Sequence, residues 1–193
     1  YKGDGSVELW NRHAERFRDY TAPEWLLEQL DNLREPLNIT DTTILDGGIL
    51  DKKHNKIKDT IVIWDILVHN KHHKICTTYQ TRYDFLLGNL NPTTHWTYTD
   101  TTGDWNLGRK INDNILIPEN LPSNQWPQAW DNINIINSPY TTGTPGTKNY
   151  SCRPVIEGLV FKDLNGTLEY GWKEKNNSNW MCRTRVETGR HKF

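Results

Sequence analysis

The residue types best suited to chemistry lie in two short segments near opposite ends of the chain. Residues 2–5 read Lys-Gly-Asp-Gly, and residues 157–162 read Glu-Gly-Leu-Val-Phe-Lys. A pattern of the first form arises by chance in roughly one chain in twenty of this length, so it is weak evidence alone. The second pattern predicts a strand that carries a carboxylate, Glu157, and an amine, Lys162, into one cleft. A neutral amine is a nucleophile and carboxylate oxygens suit Mg²⁺, so the two segments could supply both.

Five further segments accompany these two along the chain: residues 9–13 (Leu-Trp-Asn-Arg-His), 45–49 (Leu-Asp-Gly-Gly-Ile), 64–67 (Trp-Asp-Ile-Leu), 79–82 (Tyr-Gln-Thr-Arg) and 180–185 (Trp-Met-Cys-Arg-Thr-Arg). In this order, all seven resemble the motifs of the covalent nucleotidyltransferases, the superfamily of ATP-dependent DNA ligases, RNA ligases and mRNA capping enzymes. The forms of residues 64–67 and 157–162 look most like those of the minimal DNA ligases of phages and viruses.

The resemblance implies that Lys2 is the catalytic residue, which attacks the α-phosphate of ATP and forms a lysyl-AMP intermediate. The attack needs a neutral amine, and a lysine with an ordinary pKa near 10.4 is neutral only when it is desolvated or close to other cations. Lys162, Arg183 and Arg185 would supply those cations and would neutralise charge on the phosphate as pyrophosphate leaves. The alternative is an exposed lysine in a turn.

The resemblance also assigns the other site residues. The nucleotide-binding set is Lys2, Arg12, Trp64, Lys162, Arg183 and Arg185, and Glu157 is the metal ligand, with ATP and Mg²⁺ (or Mn²⁺) as cofactors. Trp64 is the platform for the purine, and Arg12 reaches the ribose or the substrate phosphate. The alternatives are a core tryptophan at Trp64 and a surface salt bridge at Arg12. Asp4 is expected to fix the turn around Lys2.

Two positions depart from the family pattern. Gly48 stands where the family has a glutamate that contacts the ribose, so this contact is missing or is made by Asp46 or Glu8. In the last segment arginines replace lysines. Because arginine presents a planar fork instead of a point charge, Lys173 or Lys175 could take that role instead.

The expected fold follows from the same resemblance. It implies an α+β fold, an ATP-grasp-like nucleotidyltransferase (adenylation) domain with antiparallel β-sheets flanked by helices, over residues 1–193. A chain of 193 residues is long enough for one well-buried domain. Because the family has a Glu-x pair before the lysine, we expect a segment to precede Tyr1, and we expect no C-terminal OB domain.

Periodicity and turn signals predict the individual elements. Helices are expected at residues 22–34, 77–89 and around 127–132, and strands at 6–12, 43–50, 60–68, 95–99, 111–117, 155–162, 167–172 and 179–186. Loops are expected at residues 51–59 and 141–148, and Asn165-Gly166 predicts a tight hairpin turn. Thr21 is the expected cap of the first helix.

Composition limits the partners. The formal net charge of -1 argues against a protein that coats nucleic acid through bulk charge, although basic clusters at residues 52–58 and 71–74 could form a local basic face. The three cysteines have no metal-binding spacing, and no stretch has the length and apolarity of a membrane span. We therefore expect a soluble monomer in the cytoplasm of a bacterial or phage-infected cell, with no membrane partner.

The leading hypothesis is an ATP-dependent polynucleotide ligase that seals 5′-phosphate/3′-hydroxyl breaks in nicked duplex, with DNA favoured over RNA. The alternatives are an RNA ligase acting in repair, a capping guanylyltransferase, and a non-catalytic module that binds nucleotide or nucleic acid. Four tryptophans, Trp96, Trp105, Trp126 and Trp130, could pack on the nucleic acid or on the core.

Overall fold

The computed structural model describes residues 1–11, 15–17, 21–50, 57–168 and 180–187. Within these residues the helices are α1 (Glu24–Asp31), α2 (Tyr79–Leu90) and α3 (Trp126–Asn137), and 3-10 turns at Ser123–Gln125 and Ser138–Tyr140 flank α3. The strands are β1 (Ile44–Leu50), β2 (Thr60–His69), β3 (His72–His73), β4 (Thr94–Asp100), β5 (Gly103–Asn112), β6 (Ile115–Ile117), β7 (Thr141–Thr142), β8 (Ser151–Cys152), β9 (Gly158–Lys162) and β10 (Met181–Arg185). The fold is mixed α+β, as the sequence predicts.

A six-stranded sheet forms the centre of the fold. Its order is β1-β2-β6-β5-β4, and β3 pairs with β2 as a short hairpin. The β2–β6 pair is parallel, whereas the other pairs of this sheet are antiparallel, so the expected purely antiparallel sheet is wrong. β2 and β6 are separated by α2 and the β4–β5 hairpin, a connection long enough for parallel pairing. β9 pairs with β10, and β7 pairs with β8, in two small antiparallel sheets.

The main hydrophobic core lies between the sheet and helices α1 and α2. Its most buried members are Leu26, Leu33, Leu37, Ile63, Ile66, Leu86, Ile115 and Ile117. Helix α1 ends at Asp31, earlier than predicted, although Leu33 stays buried in the turns that follow. Thr21 does not cap this helix, because the N-cap residue is Pro23, which has no side-chain cap bond. Among the described residues, no helix is both long and apolar enough to cross a membrane.

Helix α2 begins on a turn that follows β9. The Thr78 hydroxyl accepts a hydrogen bond from the Thr81 N–H at 3.2 Å. The N–H groups of Tyr79 and Gln80 donate to carbonyls of residues 164–166 at 2.8 and 2.9 Å. These bonds satisfy donors that a helix N-terminus leaves unpaired. The start of α2 and the turn after β9 therefore stabilise each other.

The first predicted strand is not formed. Residues 6–11 fold back locally on residues 15–17, with an isolated bridge between Trp10 and Arg16. The rest of the predicted strand, Arg12, lies outside the described residues. Alternating polarity is insufficient here because a strand needs a partner along its length, whereas the backbone bonds to residues 15–17 involve only residues 9–11 of the described part of this segment.

The last predicted hairpin also differs. The turn at residues 163–166 exists, with the Gly166 N–H donating to the Asp163 carbonyl at 2.9 Å. However, the described start of the predicted return strand, residues 167–168, bridges to Ile75 and Thr78, and β9 pairs with β10 instead. In the middle of the chain, the strand predicted at residues 111–117 is the end of β5 followed by β6.

Candidate functional site

Lys2 lies in a tight turn next to Tyr1, whose backbone bonds to Thr43, the residue before β1. The Lys2 N–H donates to the Ser6 carbonyl at 2.9 Å and its carbonyl accepts from Gly5 at 3.0 Å; Gly5 has a φ of 83°, which favours glycine. Asp4 accepts hydrogen bonds from the Ser6 N–H and hydroxyl at 2.9 and 2.7 Å. Both bonds hold the pKa of Asp4 below its ordinary value, and the bond from the Ser6 hydroxyl has the larger effect. Asp4 therefore fixes the turn, as expected.

The Lys2 amine is paired with a carboxylate. Lys2 Nζ lies 2.9 Å from Glu8 Oε1, and Arg16 Nη1 lies 3.1 Å from the same oxygen. The hydrogen bond from Lys2 is the main reason that the pKa of Glu8 is below its ordinary value. The Lys2 side chain is 47% exposed, so the structure places it as the exposed lysine in a turn that was the alternative interpretation. The cation that the structure places beside it, through Glu8, is Arg16.

Trp64 stands on a bulge of β2. Across the β1–β2 pair Asp46 faces Asp65, and the next residue of β1 faces Ile63, so Trp64 is the extra residue of a β-bulge, a feature that re-aims a side chain. Its ring lies over Gly48, where an added Cβ would be 3.0 Å from Trp64 Cη2. Trp64 is 43% exposed, so the alternative of a core tryptophan is wrong. The ring occupies the space in which a side chain at Gly48 would begin.

A buried ion pair joins β2 to α2. Arg82 Nε and Nη2 donate to the two carboxylate oxygens of Asp65 at 2.8 and 2.9 Å, and the two side chains are 0% and 5% exposed. Arg82 also donates to the Thr77 carbonyl and lies over the rings of Tyr79 and Trp180. Sequence reasoning gave this pair no role. The available signal was an aspartate inside the most apolar run of the chain.

Lys162 reaches the same region from β9. Its Nζ lies 3.9 Å from the centre of the Tyr79 ring. Burial lowers the pKa of Lys162, and the carboxylates of Asp65 and Asp46 oppose that shift. Asp46 is exposed as a residue, but partial loss of solvent around its carboxyl raises the pKa, Asp65 adds to the rise, and Lys162 opposes it. Three of the motif-like segments, remote in sequence, therefore meet around one amine.

The raised pKa of Asp46 predicts a pH dependence of stability. The folded state holds the Asp46 proton more tightly than the unfolded chain, so this contribution is present below the ordinary pKa of 3.8 and is lost as pH rises through the folded pKa. The Asp46→Asn variant has no carboxyl at this position, so its stability does not show this pH-dependent loss. The unfolding free energy of the parent minus that of the variant should therefore fall as pH rises above 3.8, measured by urea unfolding at a series of pH values.

Asp4 provides a control of opposite sign. Its pKa is lowered, so its contribution is present above the ordinary value and is lost as pH falls through the folded pKa. For Asp4→Asn the parent-minus-variant difference should rise with pH up to 3.8. Slopes of the same sign in both variants would contradict the environment described for Asp46.

Of the remaining predicted residues that the structure describes, Arg183 and Arg185 lie on β10, and Glu157 directly precedes β9. Arg185 faces Gly158 across the pair, and Arg183 faces Val160. Directly opposed side chains share one face of an antiparallel pair. Arg185 Nη2 lies 3.7 Å from Glu157 Oε2. The hairpin therefore presents a carboxylate and two exposed guanidinium groups close together.

Gly158 is required for this hairpin to close. Its φ is 153°, and an added Cβ would lie 1.9 Å from the Thr184 carbonyl oxygen. We expect Gly158→Ala to lower the unfolding free energy by at least about 2 kcal/mol through backbone strain and overpacking. The control is Gly88→Ala in α2, where nothing lies within 4 Å of an added Cβ and alanine should stabilise by about 0.5–1 kcal/mol. Equal urea midpoints for the two variants would refute the close approach at Gly158.

A magnesium ion fits this site only together with a phosphate ligand. Among the described residues no three His, Cys, Asp or Glu side chains gather as a metal-binding group. Mg²⁺ in nucleotide enzymes is held by one or two carboxylates plus substrate phosphates. Glu157 is partly exposed and offers one such carboxylate.

Lys162 also lines an open cleft of about 280 Å³. Trp126, Phe161, Trp180 and Met181 form its apolar surface, whereas Glu157 does not line it. Of the four tryptophans in question, Trp126 is the exposed one. The other three, Trp96, Trp105 and Trp130, are partly buried and pack against hydrophobic clusters.

Three residues considered for the site, Arg12, Lys173 and Lys175, lie outside the residues that the structure describes. Comparisons of the chain with protein-family models, with curated proteins and with solved structures give no match. The functional interpretation therefore depends on the residues of the site and their geometry.

Proposed function

We propose that this chain is the nucleotidyltransferase (adenylation) domain, ATP-grasp-like in fold, of an ATP-dependent polynucleotide ligase. It seals 5′-phosphate/3′-hydroxyl breaks, in nicked DNA in preference to RNA, as a monomer. We place it in the cytoplasm of a bacterial or phage-infected cell. The proposal is supported above all by the meeting of three motif-like segments around Lys162, because residues of one active site must converge from remote parts of the chain.

The position of Lys2 supports its role as the nucleophile. The backbone nitrogen of Tyr1 donates to the Thr43 carbonyl at 3.0 Å, and the Thr43 N–H donates to the Tyr1 carbonyl at 3.2 Å. Lys2 therefore emerges where β1 begins, the strand that carries Asp46 and Gly48. Attack of Lys2 Nζ on the α-phosphorus forms the N–P bond and breaks the P–O bond to pyrophosphate.

Glu8 orients the amine for this step. The amine must release a proton before it attacks, so the ion pair between Lys2 and Glu8 has to open as the triphosphate arrives. Because the pKa of Glu8 is lowered, this carboxylate is a weak base, better suited to positioning the amine than to retaining its proton. Arg16, which shares Glu8, then remains beside the incoming phosphates.

The other residues bind and neutralise the nucleotide. The exposed ring of Trp64 offers a stacking surface for adenine. Lys162, Arg183 and Arg185 neutralise the phosphates, since phosphoryl transfer is catalysed mainly by positioning and charge stabilisation. Glu157 would hold Mg²⁺ (or Mn²⁺), which neutralises charge on the triphosphate when bound.

Two transfers complete the reaction. An oxygen of the 5′-phosphate at the break attacks the phosphorus of lysyl-AMP, which regenerates the Lys2 amine and forms an AMP-capped strand. The 3′-hydroxyl then attacks the 5′-phosphate, forms the phosphodiester bond and releases AMP.

Intact-mass measurement after incubation with ATP and Mg²⁺ tests the first step, and we expect an increase equal to one adenylyl group. Protein charged with [α-³²P]ATP should then transfer label to nicked duplex DNA faster than to nicked duplex RNA. Faster transfer to RNA would indicate the RNA ligase. Absence of the adduct would leave a non-catalytic nucleotide-binding module.

A further inference from the structure

The side chain of Asn137 holds the backbone of the segment that leads into β9. Asn137 is the last residue of α3 and is only 2% exposed. Its Oδ1 accepts hydrogen bonds from the N–H groups of Val155 and Ile156 at 2.8 and 3.2 Å, and its Nδ2 donates to the Ile156 carbonyl at 2.8 Å. Loss of these bonds would leave buried polar groups unpaired, which is costly. One side chain therefore fixes the two residues directly before Glu157.

Glu157 is also held on its other side. Its carbonyl accepts a hydrogen bond at 2.9 Å from the N–H of Val186, the residue after β10. At Gly158 the backbone lies so close to β10 that an added Cβ would be 1.9 Å from the Thr184 carbonyl oxygen. The backbone of Glu157 is therefore fixed by α3 before it and by β10 after it.

Helix α3 joins this hairpin to the main sheet. Ile133 is buried in one hydrophobic cluster with Val186, and Ile136 is buried in another with Tyr98 of β4. Asn137 follows directly on Ile136, so it lies where the hairpin and the main sheet are held together. A functional side chain supported by such packed elements keeps a defined geometry.

We propose that Asn137 is a positioning residue for Glu157, which it holds where the carboxylate can bind a divalent cation on the nucleotide phosphates. The inference rests on the proposed function, in which Glu157 holds Mg²⁺ (or Mn²⁺). Magnesium requires near-ideal octahedral geometry, so the position of each ligand matters. Groups that orient a metal ligand typically change metal affinity by about 10- to 100-fold when they are removed. Asn137 itself contacts neither the ion nor the nucleotide.

Nucleotide binding with and without metal tests the proposal. The probe is α,β-methylene-ATP, which cannot release pyrophosphate, titrated by calorimetry in Mn²⁺ and again in EDTA. The affinity in Mn²⁺ divided by the affinity in EDTA, the metal ratio, measures the contribution of the metal. Asn137→Ala should lower the metal ratio about tenfold and leave the affinity in EDTA at the parent level. An unchanged metal ratio would overturn the proposal.

Asn70→Ala is the matched control. The Asn70 side chain, in the turn between β2 and β3, accepts from the N–H groups of Thr40 and Asp41 at 2.9 and 3.0 Å and donates to the Asn38 carbonyl at 2.8 Å. Its loss should lower the melting temperature, as loss of Asn137 does, but leave the metal ratio unchanged. A metal ratio lowered equally in Asn70→Ala would mean that it reports stability alone and would overturn the proposal.

Combination with Glu157→Gln shows whether Asn137 acts through the carboxylate. Residues that act through one group have non-additive effects. Glu157→Gln alone should lower the metal ratio at least about tenfold, and adding Asn137→Ala should lower it no further. A second loss of about tenfold in the double variant would mean that Asn137 acts elsewhere and would overturn the proposal.

Hydrogen exchange of the unaltered protein tests the proposal even if Asn137→Ala does not fold. The amides of Val155 and Ile156, which donate to Asn137, should exchange as slowly as those of β9. Fast exchange of these two amides would overturn the proposal, because Asn137 would not then fix the segment.

The AMP adduct separates this inference from the proposed function. If the parent forms the adduct but Asn137→Ala keeps the full metal ratio, the inference fails and the ligase assignment stands. If the parent forms no adduct but Asn137→Ala still lowers the metal ratio about tenfold, the ligase assignment fails and the positioning role stands. A parent that binds the probe equally in Mn²⁺ and in EDTA would overturn the inference, because Glu157 would hold no metal.

Discussion

Lys2→Ala and Lys2→Arg are both expected to lose the AMP adduct completely. Alanine removes the nucleophile. Arginine keeps a cation that can pair with Glu8, which lies 2.9 Å from the native amine, but a guanidinium stays protonated in proteins and cannot attack a phosphate. Intact-mass analysis after incubation with ATP and Mg²⁺ measures the loss, and Lys2→Arg separates the loss of a nucleophile from the loss of an ion pair.

A control variant and a mapping experiment test whether the loss is specific to Lys2. Lys110→Ala breaks an exposed ion pair with Asp113 and should leave the adduct at the parent level. Peptide mapping should place the adenylyl group on Lys2. An adduct found on Lys162, the half-buried amine whose pKa is lowered, would contradict the assignment and move the nucleophile to β9.

Arg82→Met is expected to have the largest effect on stability. It leaves the Asp65 carboxylate buried without its bidentate partner, and breaking a buried pair in this way typically costs about 3–5 kcal/mol. For a domain of this size the melting temperature should fall by roughly 10 °C or more. Urea unfolding and thermal melting both measure the change.

The matched comparison for Arg82 is again the exposed pair at Lys110. Lys110→Ala should change the unfolding free energy by less than about 1 kcal/mol, because water screens exposed pairs. Replacing both members of the buried pair, in Asp65→Leu/Arg82→Met, should recover much of the loss, since no uncompensated charge remains. If Arg82→Met had the same melting temperature as the parent, the Asp65–Arg82 pair would not be what holds β2 and α2 together.

Local patterns predicted the central elements of this fold well. Residues 60–68 are the most apolar run of the chain and lie in β2, and Tyr79–Leu90 forms the helix expected from residues 77–89. β5 was largely missed because its polar residues hide the alternation of a half-exposed strand. The parallel pairing of β2 with β6 depends on contacts between remote segments, which local periodicity does not encode.

The candidate site was predictable in composition and only partly in arrangement. The type of each residue indicated phosphate chemistry, and the turn held by Asp4 follows the expectation for Lys-Gly-Asp-Gly. The exposure of Trp64 could not be predicted, because the apolar sequence of β2 gives no sign of the bulge that turns this side chain outward. The environment of Lys162 was hidden because it depends on Asp65 and Tyr79, which approach only after β9 docks beside α2.

The cap of α2 couples two parts of the molecule. Since the first N–H groups of α2 donate to carbonyls of the turn after β9, the helix cannot keep its N-terminal hydrogen bonds if that turn opens. Helix and hairpin should therefore unfold locally as one cooperative unit, with similar protection of their amides against hydrogen exchange. A nucleotide that binds the hairpin would slow exchange in α2, a helix that it need not touch.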